Sequence, residues 1–481
     1  MNKIDLKILS IVLLTAMLIA CSKNKTVAEP VDEGTVDTVK VVGPPVTLDP
    51  FEIGAYLPYW GIATYQKYDY SKLSTLYIIA TISKPAVVNK KGLIFGDDDS
   101  SPTAFDQPDL KKILAFIREK SPGIKIILSI SDMHTTALNR SESSSLFTPS
   151  GTPETVKYLM GNYVDKFDFD GVDIDIEDES LTMLGANYSY FLKELATALH
   201  NEQARGKRKL CVATLNPYDF TKVTAAAYES VDLIGVMDYG QEKLDLLAPG
   251  TPRDLMREGD DWSQKIAKDK LSFGLGFWSS HIAPDGQHAG DGWDYARVLT
   301  TAAADTAFVP YLTSYFKNEV KPGYNLRYNG MYETRRKAEF VKKGGFRGVF
   351  AWDITKDVTD EAYKSYSLLS MLRDWNDNPE KYAPIKATTV ADYYKISDQI
   401  DGKYYEIEPS DKNWLGLYDL KSGIFTGYKQ QLSATKSGTF QIPSSAVATL
   451  TGGKLYILKI FNGEEGQGPA LVGTSHPFYI K

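Results

Sequence analysis

Asp170-Gly171-Val172-Asp173-Ile174-Asp175-Ile176-Glu177 is the stretch that decides how this chain is built. Val172, Ile174 and Ile176 alternate strictly with Asp173, Asp175 and Glu177, and side chains two apart in a strand share a face. One face is therefore branched and apolar, and the other is wholly acidic. Three acids cost far more to bury than they return in stability, so a structural role does not account for them. The wall of a barrel does. There the outward face packs on helices, while the inward face rises toward the C-terminal mouth, where such folds carry their chemistry.

The flanking sequence supplies the rest of that barrel. Short apolar runs recur at 53–57, 75–82, 124–130, 171–176, 210–215, 233–237, 271–276 and 348–352. Segments of helical period lie between many of them, at 110–118, 155–165, 188–203 and 332–343. Strands alternating with helices indicate a parallel sheet, and residues 50–378 are predicted to form a (β/α)8 TIM barrel. An open doubly wound sheet is the alternative, but no Gly-rich phosphate loop follows the first strand. A helix-like segment at 362–375 and a Pro-containing link come next. Residues 388–481 then turn to short alternating runs at 403–407, 414–420, 439–442, 454–461 and 477–480. They predict a small antiparallel β-sandwich, immunoglobulin-like or carbohydrate-binding.

At the N-terminus, Lys3 and Lys7 lead into an apolar stretch at 8–20, too short to span a bilayer and suited to a signal peptide. It ends in Leu18-Ile19-Ala20-Cys21-Ser22, which resembles the lipobox of bacterial lipoproteins; in that class Cys21 would carry the lipid. Residues 1–21 thus read as a lipoprotein signal peptide. The polar, aperiodic segment 22–49 reads as a flexible tether. The implied location is the bacterial cell envelope, with a membrane as partner through the lipid anchor. Cys211 would be the remaining cysteine, in an apolar run, and no intramolecular disulfide is expected. A net charge of −7 argues against nucleic acid as a partner, and a monomer is expected. The 30 Tyr and 7 Trp suit a protein that stacks sugar rings, although β-rich cores use Tyr as well.

Stacked carboxylates cannot all ionise cheaply, so protons are shared among them. Glu177, the outermost, is placed to keep a proton and donate it to a leaving-group oxygen. A hard-cation site is the competing reading. Flexible Gly- and Asn-bearing loops usually build such sites, and no EF-hand spacing occurs here. No metal or cofactor is expected.

The segment DGVDIDIE matches the DxxDxDxE signature of glycoside hydrolase family 18, the chitinases and endo-β-N-acetylglucosaminidases. Tyr56-Leu57-Pro58-Tyr59-Trp60 resembles that family's first-strand aromatic cluster. Val236-Met237-Asp238-Tyr239 resembles its Met-x-Tyr element, and Phe350-Ala351-Trp352 its Trp beneath the −1 sugar. The resemblance covers about residues 51–375. It implies that Glu177 is the acid/base, Asp175 orients the substrate N-acetyl group, Asp173 supports Asp175, Tyr239 donates to the acetamide and Trp352 stacks under the ring. Tyr56, Trp60, Met237 and Asp238 are further candidates for contact with sugar. Trp278, after the seventh strand, reads equally as a cleft or a core residue.

Three features depart from the family pattern: Ser129-Ile130-Ser131-Asp132 lacks the usual glycines, Gly240 stands where many members have Asp, and Asp178-Glu179-Ser180 follows the acid. The last two leave the substrate open. The resemblance implies retaining, substrate-assisted hydrolysis of β-1,4-linked N-acetylglucosamine, in chitin or chitooligosaccharides. Two other readings stand beside it: an endo-β-N-acetylglucosaminidase acting on the chitobiose core of N-glycans, and a non-hydrolytic glycan-binding surface lipoprotein. Lectins of this family typically lose the acid Glu, which is present here.

Overall fold

The computed structural model describes residues 48–90, 92–95, 107–131, 137–201, 208–239, 266–315 and 321–481. The signal-like segment, Cys21 and almost all of the tether lie outside the described residues, as do Asp132 and Gly240. Strands β1 (Glu52–Leu57), β2 (Thr75–Thr81), β3 (Lys125–Ser131), β4 (Gly171–Asp175), β5 (Leu210–Leu215), β6 (Leu233–Val236) and β7 (Leu271–Gly276) follow one another. Four short strands come next: β8 (Trp278–Ile282), β9 (His288–Asp294), β10 (Ser314–Tyr315) and β11 (Asn325–Tyr328). They precede β12 (Gly348–Trp352). The barrel closes in the order β1-β12-β7-β6-β5-β4-β3-β2, with parallel pairing throughout. This is the (β/α)8 TIM barrel that the alternation predicts.

The helices around it include α1 (Gln107–Lys120), α2 (Thr152–Leu159), α3 (Asp178–Leu184), α4 (Ala186–His200), α5 (Met331–Lys343) and α6 (Leu368–Asp377). Val172, Ile174 and Ile176 of the acidic stretch belong to the layer between barrel and helices, together with Leu192 and Leu195 of α4. A separate cluster fills the barrel itself, built on Tyr56, Tyr77, Ile127, Val212 and Phe350. The apolar half of the alternation thus faces out and the acidic half faces in. Helix α6 starts later than its apolar period indicates, because Ser367 caps it by accepting from Ser370 N at 3.1 Å.

Two features go beyond the sequence reading. The segment between β7 and β12 folds into an antiparallel sheet of order β10-β11-β8-β9. Its longest strand reads His288-Ala289-Gly290-Asp291-Gly292-Trp293-Asp294, a turn-like composition that hides the strand. The C-terminal region contains nine strands: β13 (Ile385–Thr389), β14 (Tyr393–Tyr394), β15 (Ile400–Tyr404), β16 (Asn413–Asp419), β17 (Phe425–Gln431), β18 (Gly438–Ile442), β19 (Lys454–Asn462), β20 (Ala470–Ser475) and β21 (Phe478–Ile480). It starts at Ile385, before the expected 388, and is not purely antiparallel: β13 pairs with β20, and β14 with β21, in parallel. Its core of Leu415, Leu417, Leu458 and Ile460 is distinct from that of the barrel.

This sheet sits on the barrel through polar contacts. Thr313 donates to Asp392 Oδ2 through its backbone N (3.1 Å) and its hydroxyl (2.5 Å). His476 lies 3.3 Å from Glu333 of α5, and Arg336 of α5 lies over the ring of Tyr405. Glu333 and Arg336 of α5 are buried by these contacts, while Arg335 and Lys337 are buried with partners outside the sheet, Ala383 and Asn329.

Candidate active site

Strand β4 carries its acids up the inside of the barrel. Asp173 is fully buried, Asp175 is nearly so, and Glu177, just past the strand end at the first residue before α3, is half-buried at the mouth. Glu177 keeps an extended backbone (φ −119°, ψ 162°), so the alternation of faces runs through it although the strand ends at Asp175.

The deepest acid is held by hydroxyls from the two neighbouring strands, β3 and β5, and from β1 across the barrel. Asp173 Oδ2 accepts from Ser129 Oγ at 2.7 Å and from the Tyr56 hydroxyl at 3.0 Å, while Oδ1 accepts from Thr214 Oγ1 at 3.0 Å. The registers explain the meeting: Ser129 is level with Asp173 across β3–β4, and Thr214 with Asp175 across β4–β5. Gly235 leaves the space for Thr214, since a Cβ there would lie 2.6 Å from Thr214 Oγ1. Burial pushes the Asp173 carboxyl up to about 6, against the pull of its three hydroxyl donors.

That shift has a sign that can be tested. The native value lies above the ordinary carboxylate value, so folding favours the protonated form. Stability from this group is present in acid and is lost as pH rises through about 6. Asp173→Asn removes the titration, so the variant should gain stability relative to wild type between pH 4 and 7.5. Urea unfolding of both proteins at the two pH values checks this. A gap that does not change with pH would refute it.

Tyr239 reaches the column from the end of β6. Its ring lies edge-on to Trp278 (5.2 Å between centroids) and Phe350 (6.0 Å), above Gly274, where a Cβ would come within 2.6 Å of the ring. Burial, then the negative charges of Asp175, Glu177, Asp173 and Asp353, push its phenol well above the usual range. The hydroxyl therefore stays protonated and is available as a donor. Met237 joins the same interior cluster. Asp238, between them, is also buried, just past the end of β6.

Aromatic rings surround the mouth. Trp352, at the end of β12, lies 5.4 Å from Tyr56 and 6.1 Å from Trp60 between ring centroids. Trp60 is 48% exposed and donates through Nε1 to Thr355 Oγ1 at 3.3 Å. Trp278, at the start of the inserted sheet, is half-buried and faces the cleft through Tyr239. Tyr56 departs from its expected place: its ring is buried below the mouth, and its hydroxyl supports Asp173.

Several contributors were not singled out from the sequence. Ser129 and Thr214 hold Asp173. Asp353 is buried directly after Trp352, and its carboxyl is pushed up to about 6 by burial, against hydrogen bonds from Thr355. Asn216 donates from Nδ2 to Glu177 Oε2 at 3.0 Å and to Asp178 Oδ1 at 3.2 Å. Tyr218, which its place after the fifth strand already marks as a cleft or core aromatic, stands 69% exposed beside them. All but Asp353 follow from one available signal, polar or aromatic residues spaced by two along β3 and along β5 and the turn after it. Chemically, the arrangement can hold a protonated carboxyl beside a buried carboxylate and a phenol donor, under an aromatic surface.

No curated protein matches the chain by sequence. Among solved structures, a chitinase from Cycas revoluta in complex with (GlcNAc)3 is 14% identical, with TM-score 0.53; the match covers 67% of this chain and 99% of that one. A class V chitinase from Nicotiana tobaccum is 16% identical, with TM-score 0.51, over 67% of this chain and 99% of its own. A chitinase-like agglutinin from Robinia pseudoacacia is 17% identical, with TM-score 0.51, over 66% and 98%. At such identities these likenesses carry the fold alone. The family is carried by the sequence profile described as Glycosyl hydrolases family 18, which matches residues 53–357, more than half of the chain and all eight barrel strands but the first residue of β1. The chain belongs to glycoside hydrolase family 18.

Proposed function

We propose that this hydrolase cleaves β-1,4-linked N-acetylglucosamine chains, chitin or chitooligosaccharides, with retention of configuration. The observation that carries the reading is the graded column Asp173, Asp175 and Glu177, faced by the Tyr239 hydroxyl. Glu177, at the wet end, gives its proton to the glycosidic oxygen and later takes one from water. Asp175 orients the substrate's acetamide, Tyr239 donates to its oxygen, and Trp352 lies under the −1 ring. Asp173, braced by Ser129, Tyr56 and Thr214, supports Asp175 from below.

Exposed or half-exposed rings contributed by several barrel loops, Trp60, Trp278 and Tyr218, favour a linear chain of sugars over the branched core of an N-glycan. The intact acid column favours a hydrolase over a lectin. The lipobox-like segment ending at Cys21 supports attachment to the cell envelope.

The test is a parallel assay of the full chain on chitotetraose and on a high-mannose glycopeptide. Cleavage of the first with an initially β-configured product is expected. Cleavage of the glycopeptide alone would favour the chitobiose-core activity, and tight binding of chitotetraose without turnover would favour the lectin.

A further inference from the structure

Glu177 is gripped from outside its own strand. The segment Asn216-Pro217-Tyr218-Asp219-Phe220-Thr221-Lys222, which follows β5, folds over the turn between Glu177 and α3. Asp178 has a left-handed backbone (φ 50°), and its N–H is accepted by Asp219 Oδ2 at 3.2 Å. Lys222 Nζ reaches Asp178 O at 3.3 Å, Thr182 Oγ1 at 2.8 Å and Asp219 Oδ1 at 2.5 Å. Asn216 completes the clamp on Glu177 Oε2 and Asp178 Oδ1. Both its neighbours are carboxylates, so its NH2 group rather than its carbonyl must face them.

We infer that Asn216 is a positioning residue that selects which oxygen of Glu177 carries the catalytic proton and stabilises the carboxylate left behind when that proton is given away. The inference rests on Glu177 being the acid/base of the reading above. Oε2 accepts this N–H, which assigns the transferable proton to Oε1. As the glycosidic C–O bond breaks, the Oε1 proton passes to the departing oxygen and Glu177 becomes an anion. The Asn216 bond to Oε2 then becomes charge-assisted and stronger. An interaction that strengthens along the reaction coordinate lowers the barrel enzyme's barrier instead of merely tightening substrate binding.

Among the described residues, the other groups near Glu177 have different roles. Asp175 on β4 and Asp178 on α3 are acids. Tyr218 gives its hydroxyl to Asp178, and Tyr239, at the end of β6, stays protonated and is left for the substrate acetamide. Asp219 and Lys222 neutralise one another. Arg140 is spent on Glu179 at 3.4 Å.

The test uses Asn216→Ala and Asn216→Asp in the full chain, the second keeping the side-chain volume. For chitotetraose, Asn216→Ala should lower kcat/KM about 10–100-fold. For an aryl chitobioside, whose leaving group needs little protonation, the loss should stay within about threefold. The alkaline limb of the kcat/KM profile should move to higher pH in both variants, because each removes a donor that favours the ionised acid. Both readouts are ratios within one variant, so a partly folded preparation does not obscure them. Equal losses on the two substrates, or an alkaline limb that stays in place, would overturn the inference. A wild type inactive on chitotetraose would instead refute the functional reading on which it rests.

Discussion

Glu177→Gln should abolish hydrolysis of chitooligosaccharides while leaving the fold and sugar binding close to those of wild type. The amide keeps the shape of the side chain and can still accept the Asn216 N–H that Glu177 Oε2 receives at 3.0 Å. It has no proton to transfer. A general acid contributes ~10²–10⁴-fold, and here the same group must also act as base in the second step, so the loss should reach the upper end of that range. Binding should change little, because the contacts assigned to recognition, Trp352, Trp60, Trp278, Tyr239 and Asp175, are untouched. Turnover of chitotetraose, calorimetric binding of the same sugar and the thermal unfolding midpoint separate these effects. Residual activity within tenfold of wild type would remove Glu177 from its role. Lost activity with lost binding would mean that the acid also holds the ground state.

The barrel and the acid column are legible in the sequence for one physical reason. Alternation along and just past β4 is strict over the six residues 172–177 and pairs branched apolar side chains with acids. No other placement reconciles the two faces. The eight parallel strands repeat the same signal more weakly. Residues contributed by chain segments far from the motif were harder to see. Ser129 and Thr214 are ordinary strand residues until the register sets Ser129 beside Asp173 and Thr214 beside Asp175. Asn216 reads as a turn residue before Pro217 until the clamp on Glu177 is visible. Tyr56 was misplaced at the sugar surface because an aromatic near the end of a barrel strand can lie at the mouth or one layer beneath it, and the chain alone does not distinguish the depths.

The inserted sheet and the polar strands of the C-terminal region were missed for a different reason. Strand β17, Phe425-Thr426-Gly427-Tyr428-Lys429-Gln430-Gln431, is held by pairing with β16, and most of its side chains stay at least partly in water. No hydrophobic period marks such a strand. The charged face of α5 shows the same limit in reverse. A run such as Glu333, Arg335, Arg336 and Lys337 looks solvent-facing, and only partners distant in the chain, such as His476 for Glu333 and Tyr405 for Arg336, bury it.

A substrate with glucosamine or glucose in place of N-acetylglucosamine at the −1 position should not be cleaved. An ordinary retaining glycosidase sets a nucleophilic carboxylate about 5 Å from its acid, across the sugar ring, and forms a covalent glycosyl-enzyme. Asp175 shares Glu177's face of the chain and lies two residues deeper, roughly 6–7 Å along the strand. A carboxylate in that position approaches from the same side as the acid and sits below it. From there it can grip an acetamide, but it cannot attack the anomeric carbon from the opposite face. Asp173 is deeper still, fully buried and occupied by three hydroxyls. Tyr239 stays protonated and can donate to the same acetamide. On the mechanism we propose, the nucleophile is the acetamide oxygen of the substrate, which closes on C1 as the glycosidic bond breaks and Glu177 protonates the leaving oxygen, giving an oxazolinium ion that water then opens. Asp175→Asn should therefore lower kcat by ~10²-fold or more, because an amide cannot balance the positive charge that develops on the acetamide nitrogen. A thiazoline analogue of the cyclic intermediate should inhibit the wild type competitively and bind Asp175→Asn far more weakly. Chitotetraose re-acetylated or de-acetylated only at the −1 sugar, followed by product analysis, tests the first expectation directly. Efficient cleavage of the de-acetylated sugar, or a covalent sugar trapped on Asp173 or Asp175 and located by mass spectrometry, would replace this mechanism with an enzyme-derived nucleophile.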